Sequence, residues 1–151
     1  MMKKHTARRG LRADATGRSH EDLKHVRLHR WLVESSAYRS LPPAARSALV
    51  ELYLLYNGVN NGEIAMSVRK LGERLGIHKD TANKALKELE DKGFIRIAQK
   101  GSFEWKELNA STYILTEFSY RGEGPTKNFM RWQPDNSNDN APLKAKAGPN
   151  Q

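Results

Sequence analysis

Between Ser67 and Ile95 the apolar positions keep a helical period twice and then change to a strand period. Val68, Leu71 and Leu75 recur at helical spacing, which marks one buried stripe. Ala82, Ala85, Leu86 and Leu89 form a second stripe. Gly76 falls between them, where the chain must turn and glycine enters the left-handed region without steric cost. Ser67 stands one position before the first stripe, as an N-cap whose hydroxyl accepts from a free amide of the first turn. Gly72 and the alanines let the helices cross closely, although glycine inside a helix costs about 1 kcal/mol against alanine. Ile77 fills the gap between them. Gly93 ends the second helix, and Ile95 and Ile97 then alternate as in a strand. The pattern predicts helix, turn, helix, strand.

The flanking pattern extends this unit. Leu41-Pro42-Pro43 opens an earlier helix, since proline is tolerated in a first turn. Ala45, Ala48, Leu49, Leu52, Leu55 and Tyr56 line one side of it, and Asn57-Gly58 ends it. Tyr113 and Leu115, in a run of strand-forming residues, should answer Ile95 and Ile97 across a hairpin. Its tip runs from about Gln99 to Asn109, and Phe103 and Trp105 there read as hairpin core. Further upstream, Leu23, Val26, Leu28, Trp31, Leu32 and Val33 suit either a helix over 22–38 or a short extended piece before a helix at 30–38. We expect an extra helix packed on the domain. Phe129, Met130 and Trp132 should bring the segment 122–132 back onto it, with a dimer contact as the sharper alternative. Residues 1–21 are basic with little apolar content, and residues 134–151 are polar and rich in Pro and Gly. Both read as disordered, flanking a domain over 22–133 with its core at 42–117.

The order of small residue, three positions, glycine, apolar residue, then alanine six after the glycine resembles the helix-turn-helix of bacterial regulators. The continuation LKELEDKGFI resembles the end of a recognition helix and the first wing strand of winged-helix proteins, including MarR-type and GntR-type regulators and plasmid replication initiators. The resemblance is strong over about 30 residues and extends plausibly over about 75, from Pro42 to Glu117. It implies a mainly α fold with a small β-hairpin (α+β), that is, a winged helix-turn-helix with an extra N-terminal helix and disordered termini. It also implies that Glu63-Ile64-Ala65-Met66 is a short strand paired with the wing, and that the second helix enters a DNA major groove.

The solvent face of the second helix fits that role. Opposite Ala82 lie Asp80, Lys84, Lys87 and Asp91, flanked by Asn83 and Glu88. Lysine donates to guanine edges, asparagine pairs with adenine, and a carboxylate accepts from cytosine. Lys79, Asp80, Asn83 and Lys84 are therefore the candidate base readers. Ser67, Arg69, His78, Thr81 and Lys87, with Lys100, Ser102 and Lys106 on the wing, are candidate backbone contacts. Glu88, Glu90 and Asp91 should stay off the phosphates, so the helix should enter by its N-terminal half. The competing reading is a solvated charged face on an ordinary helical hairpin.

Charge shifts part of this picture. The 151 residues carry a net charge of +9, but residues 1–30 hold nine Lys/Arg against three acids and residues 31–133 fifteen against twelve. The domain is mildly basic and the arm strongly so, which suits backbone attraction by the arm. Without cysteine there is no disulfide framework and no Cys-based zinc finger. His25 and His29 stand four apart, yet no further ligand pattern accompanies them, and all five histidines read as surface residues. The sequence shows no nucleotide-binding glycine loop, nucleophile elbow or paired carboxylates, so a non-enzyme without cofactor or metal is expected. Asn109-Ala110-Ser111 matches a glycosylation acceptor and reads as chance. No apolar run suggests a membrane span, the start lacks a secretory h-region, and a cytoplasmic place is expected. The expected partner is double-stranded DNA, with a homodimer possible. The expected role is a bacterial or mobile-element transcriptional regulator. Alternatives are a protein of a plasmid or phage replication origin or recombination site, and a winged-helix protein-interaction module.

Overall fold

The computed structural model describes residues 25–101, 103–104, 107–108 and 110–134. The basic arm, the tail beyond residue 134, and Ser102, Trp105, Lys106 and Asn109 lie outside the described residues. So do the side chains at 102–109, including the expected packing of Phe103 and Trp105.

Helices α1 (Arg30–Val33), α2 (Ser36–Ser40) and α3 (Pro43–Leu55) come first, then strand β1 (Ile64–Ala65) and helices α4 (Val68–Leu75) and α5 (Lys79–Asp91). Strands β2 (Ile95–Gln99), β3 (Phe103–Glu104), β4 (Glu107–Leu108) and β5 (Thr112–Leu115) follow, and a 3-10 turn over Asn128–Arg131 closes the described chain. This is a winged helix-turn-helix of α+β class.

Pro43 takes the first turn of α3, where its missing N–H is no loss. Its apolar stripe, Ala45, Ala48, Leu49 and Leu52, is fully buried against α4 and α5. Ser67 Oγ accepts from the Lys70 amide at 3.1 Å and caps α4, while Gly76 ends it in the left-handed region at φ +65°. A Cβ on Gly72 would stand 2.9 Å from the Ile77 carbonyl oxygen. The turn packs against α4 at that point, so the propensity cost of glycine there is offset by close approach.

Strand β5 is the centre of a three-stranded antiparallel sheet, between β1 and β2. Ile95 faces Leu115 and Ile97 faces Tyr113, as the alternation requires. Beyond Ile97 the register shifts so that Gln99 faces Thr112 and Ala98 is the extra residue, a bulge of the kind that twists a strand as it leaves a sheet. Within the tip, β3 pairs with β4. Asn61 ties the far end: its amide donates to the carbonyls of Leu115, Phe118 and Ser119 at 3.0, 3.3 and 3.1 Å, and its Oδ1 accepts from Leu115 N.

The N-terminal segment departs from the single helix over 22–38. Residues 25–29 carry no helix, and the helical part is broken into α1 and α2. Ser35 makes the break: its Oγ donates to Leu32 O at 2.7 Å and accepts from Tyr38 N at 3.2 Å. One side chain thus closes the first helix and caps the second, which is the competition with continuous helix that serine offers. His25 and His29 consequently do not share a helical face.

His29 is also not a simple surface residue. Its Nδ1 lies 2.5 Å from Oε1 of Glu117, a carboxylate only 5% exposed just past β5. Tyr53 of α3 donates its hydroxyl to the other oxygen, Oε2. The buried charge therefore has a partner at each oxygen, as burial of a carboxylate demands. Burial first, then the Glu117 carboxylate, push the Tyr53 phenol far above its ordinary value of 10.0. A phenol that stays protonated when folded and ionises when unfolded favours the unfolded chain at alkaline pH, so this contribution is lost as pH rises above 10. Tyr53→Phe should cost about 1–3 kcal/mol at neutral pH, because Oε2 loses its donor, and should flatten the alkaline fall in stability. Urea denaturation at neutral and alkaline pH measures both, and an unchanged neutral midpoint would show that water replaces the hydroxyl at no cost.

Residues 128–131 fold back through an aromatic stack. Phe129 lies 4.7 Å from Phe94 and 6.0 Å from Trp31 between ring centroids, and Trp31 stacks in turn on His29 at 5.3 Å.

Candidate nucleic-acid interface

Helix α5 presents two chemically different sides. Ala82, Ala85, Leu86 and Leu89 are buried, while Lys79, Asp80, Thr81, Asn83, Lys84 and Lys87 are exposed. The polar set is concentrated in the first half of the helix, where free backbone amides already favour anions. His78 is the N-cap: its Nδ1 accepts from the Asp80 amide at 3.3 Å and lies at the same distance from Asp80 Oδ2. Nδ1 accepts in the first contact and would have to carry a hydrogen to make the second, so only one of the two holds at a time. At the other end Glu88 binds Lys92 at 2.5 Å, and Glu90 and Asp91 remain exposed.

Two hollows flank this exposed face. The first, of about 400 Å³, lies over the turn between the helices and gathers Arg69, His78 and Lys79 together with Glu73. Arg69 Nε stands 3.0 Å from Glu73 Oε1 in an exposed pair, which water and salt weaken readily. The second, of about 380 Å³, lies between α5 and the base of the wing, where Asn83, Lys87 and Lys100 meet beside Glu90 and Asp91. The Gly101 amide donates to Ser111 Oγ at 2.9 Å and ties the outgoing and returning chains at the wing base.

The structure thus brings together Arg69, His78 and Lys79 on one side, and Asn83, Lys87 and Lys100 on the other. Asp80, Thr81 and Lys84 stand exposed on the same first half of the helix. Ser67 is placed differently, since its hydroxyl is already engaged in capping. Sequence reasoning missed Ser111, whose role depends on a chain partner ten positions away. It also missed Glu117, although a carboxylate ending the apolar run TYILTEF was a visible signal of a buried charge.

Residues 46–101 match the model of the MarR family. The matched span runs from the first turns of α3 through both helices of the motif and β2 to the edge of the wing tip. Over these residues the chain is similar to the winged helix-turn-helix of the MarR family. The match takes in less than half of the chain and leaves α1, α2, β5 and the closing 3-10 turn outside it. No curated protein and no solved structure matches the chain. The MarR match supports a winged-helix DNA-binding regulator domain over these residues. Among the described residues no helix is long and apolar enough to cross a membrane.

Proposed function

We propose that the chain is a sequence-specific double-stranded DNA-binding regulator, encoded by a bacterium or a mobile element and acting in the cytoplasm. The observation that carries this reading is the exposed polar first half of α5, flanked by a hollow with Arg69, His78 and Lys79 and by one with Asn83, Lys87 and Lys100. Lys79, Asp80, Asn83 and Lys84 read base edges. Arg69, His78, Thr81 and Lys87 hold phosphates, with Ser67 beside them, and Lys100, Ser102 and Lys106 hold the backbone from the wing. Glu88, Glu90 and Asp91 repel phosphate and keep the duplex to the first half of α5, although Glu90 and Asp91 line the second hollow. The basic arm, residues 1–21, adds attraction that does not depend on sequence.

Selection of bound duplexes from a random pool tests the reading. A recurrent motif supports it, and a palindromic one also reports a two-fold dimer. No enrichment at moderate salt would leave a protein-interaction module in its place. On the selected site, Asn83→Ala should cost about 1–3 kcal/mol, with little change on random duplex. Equal loss on both would remove Asn83 from base reading. Lys87→Gln should weaken selected and random duplexes alike and reduce the log–log salt slope by about 1. An unchanged slope would take Lys87 off the phosphates.

A further inference from the structure

Where α2 meets the first turns of α3, a shallow groove of about 360 Å³ is lined by Val33, Tyr38, Arg39 and Arg46. The Arg46 guanidinium lies over the Tyr38 ring, 5.3 Å from its centroid, and donates from Nη2 to the Arg39 carbonyl at 2.7 Å. Its Nε is buried and has no hydrogen-bond partner among the described residues. Neither arginine forms an ion pair among the described residues, whereas Arg74 and Lys92 each pair with a glutamate.

A guanidinium always carries its charge and presents five donors in a rigid fork. Burying one of those donors without an acceptor is unfavourable, and stacking on Tyr38 holds the fork in place before any partner arrives. Two guanidiniums with no acid beside them suit an anion with planar acceptors, and Val33 and Tyr38 add apolar surface next to them.

The location argues against a nucleic-acid phosphate. Lys92, which follows α5, donates to the carbonyl of Ser40 at 3.4 Å, so the groove adjoins the C-terminal end of α5. The 13-residue helix separates that end from Lys79 by about 20 Å. If α5 reads DNA with its first half, as proposed above, the groove lies by the opposite end of that helix.

We propose that the Arg39–Arg46 groove docks an acidic segment of a partner protein. A carboxylate of that segment lies on the two guanidiniums and a neighbouring apolar side chain lies on Val33 and Tyr38. The carboxylate supplies the acid that neither arginine has among the described residues, and the charge-assisted bonds hold it there.

The full chain is titrated with a labelled, end-capped peptide of Asp, Glu and Leu, and with its counterpart in which Asn and Gln replace the acids. The acidic peptide should saturate by fluorescence anisotropy and the neutral one should not. Arg39→Gln should weaken the acidic peptide about tenfold and leave the shift of a random duplex unchanged. Arg46→Lys keeps the charge but removes the fork, and should weaken the peptide as well, with circular dichroism confirming the fold. Because the arm is strongly basic, peptide binding that is indifferent to Arg39→Gln would place the contact elsewhere and overturn the proposal. Equal binding of both peptides, or no saturation, would do the same. A loss of duplex affinity with a smaller salt slope in Arg39→Gln would reassign the groove to phosphate. Absence of duplex binding by the unaltered chain would instead overturn the DNA reading and leave the peptide result standing.

Discussion

Phe94→Ala should lower stability by about 3–5 kcal/mol, the cost of emptying a large aromatic site that cannot collapse. Phe94 is 2% exposed and stacks on Phe129 with centroids 4.7 Å apart. The edge contact with Tyr38 at 6.3 Å brings α2 to the same ring. Its backbone is also shared: its amide donates to Leu89 O at 2.9 Å and its carbonyl accepts from Thr116 N at 3.0 Å. The ring therefore sits where the end of α5, the start of β2, α2 and the closing turn converge. Domains hold about 5–15 kcal/mol in total, so the variant should be close to unfolded at physiological temperature. Urea denaturation followed by tryptophan fluorescence measures the change. Trp31 and Trp132 both lie partly buried against this core and report on it. A loss below about 1 kcal/mol would mean that the surrounding rings close the gap, and that the stack contributes less than cavity formation implies.

Gly93→Ala comes second, with an expected loss of about 2–5 kcal/mol from left-handed strain and overpacking together. Gly93 has φ +80°, and a Cβ there would stand 2.8 Å from Asn128 Cβ and 2.9 Å from both Asn128 C and Phe129 N. Two of those three neighbours are backbone, so relief requires the 128–131 turn to lift and with it Phe129. Gly76 provides the comparison. It has φ +65° and nothing within 4 Å of a built Cβ, so Gly76→Ala carries the conformational strain alone, about 1–2 kcal/mol. The difference between the two variants, measured under one set of denaturation conditions, is the contribution of the turn's seat. Equal losses would show that the turn is not held against Gly93 in solution.

These two sites divide along a line that runs through the whole molecule. The glycine at the end of α5 was legible from local pattern, because helix termination is decided within a few residues. That the closing turn rests on it was not, because Asn128 and Phe129 are more than thirty positions away. Most of the apolar stripes of α3, α4 and α5, and the facing of Ile95 and Ile97 by Tyr113 and Leu115, were legible, since each follows from a period of 3.6 or 2. Tyr56, included in the α3 stripe, follows the helix, and the buried Tyr53 was left out of it. The break at Ser35 was missed because two hydrogen bonds of a single hydroxyl overrode a pattern that suited one helix. The triad of His29, Tyr53 and Glu117 was missed for a different reason. Its members stand 88 and 64 positions from Glu117, and no local spacing marks residues that far apart as neighbours.

The candidate interface shows the same division. Periodicity alone placed Asp80, Asn83, Lys84 and Lys87 on the solvent side of α5, since a helix with one buried stripe leaves the opposite face to water, and Lys79 was chosen for its place at the helix start. It could not group them. Arg69 joins His78 and Lys79 only because Gly72 lets the turn rest against α4. Lys100 joins Asn83 and Lys87 only because β2 pairs with β5 and carries the wing base back beside α5. The sequence by itself determined which elements form and which side of each is buried, because helix and strand periods are local. Only the tertiary structure decided which exposed groups become neighbours, which charge is buried and which arginines lack an acid, because those depend on packing between segments distant along the chain.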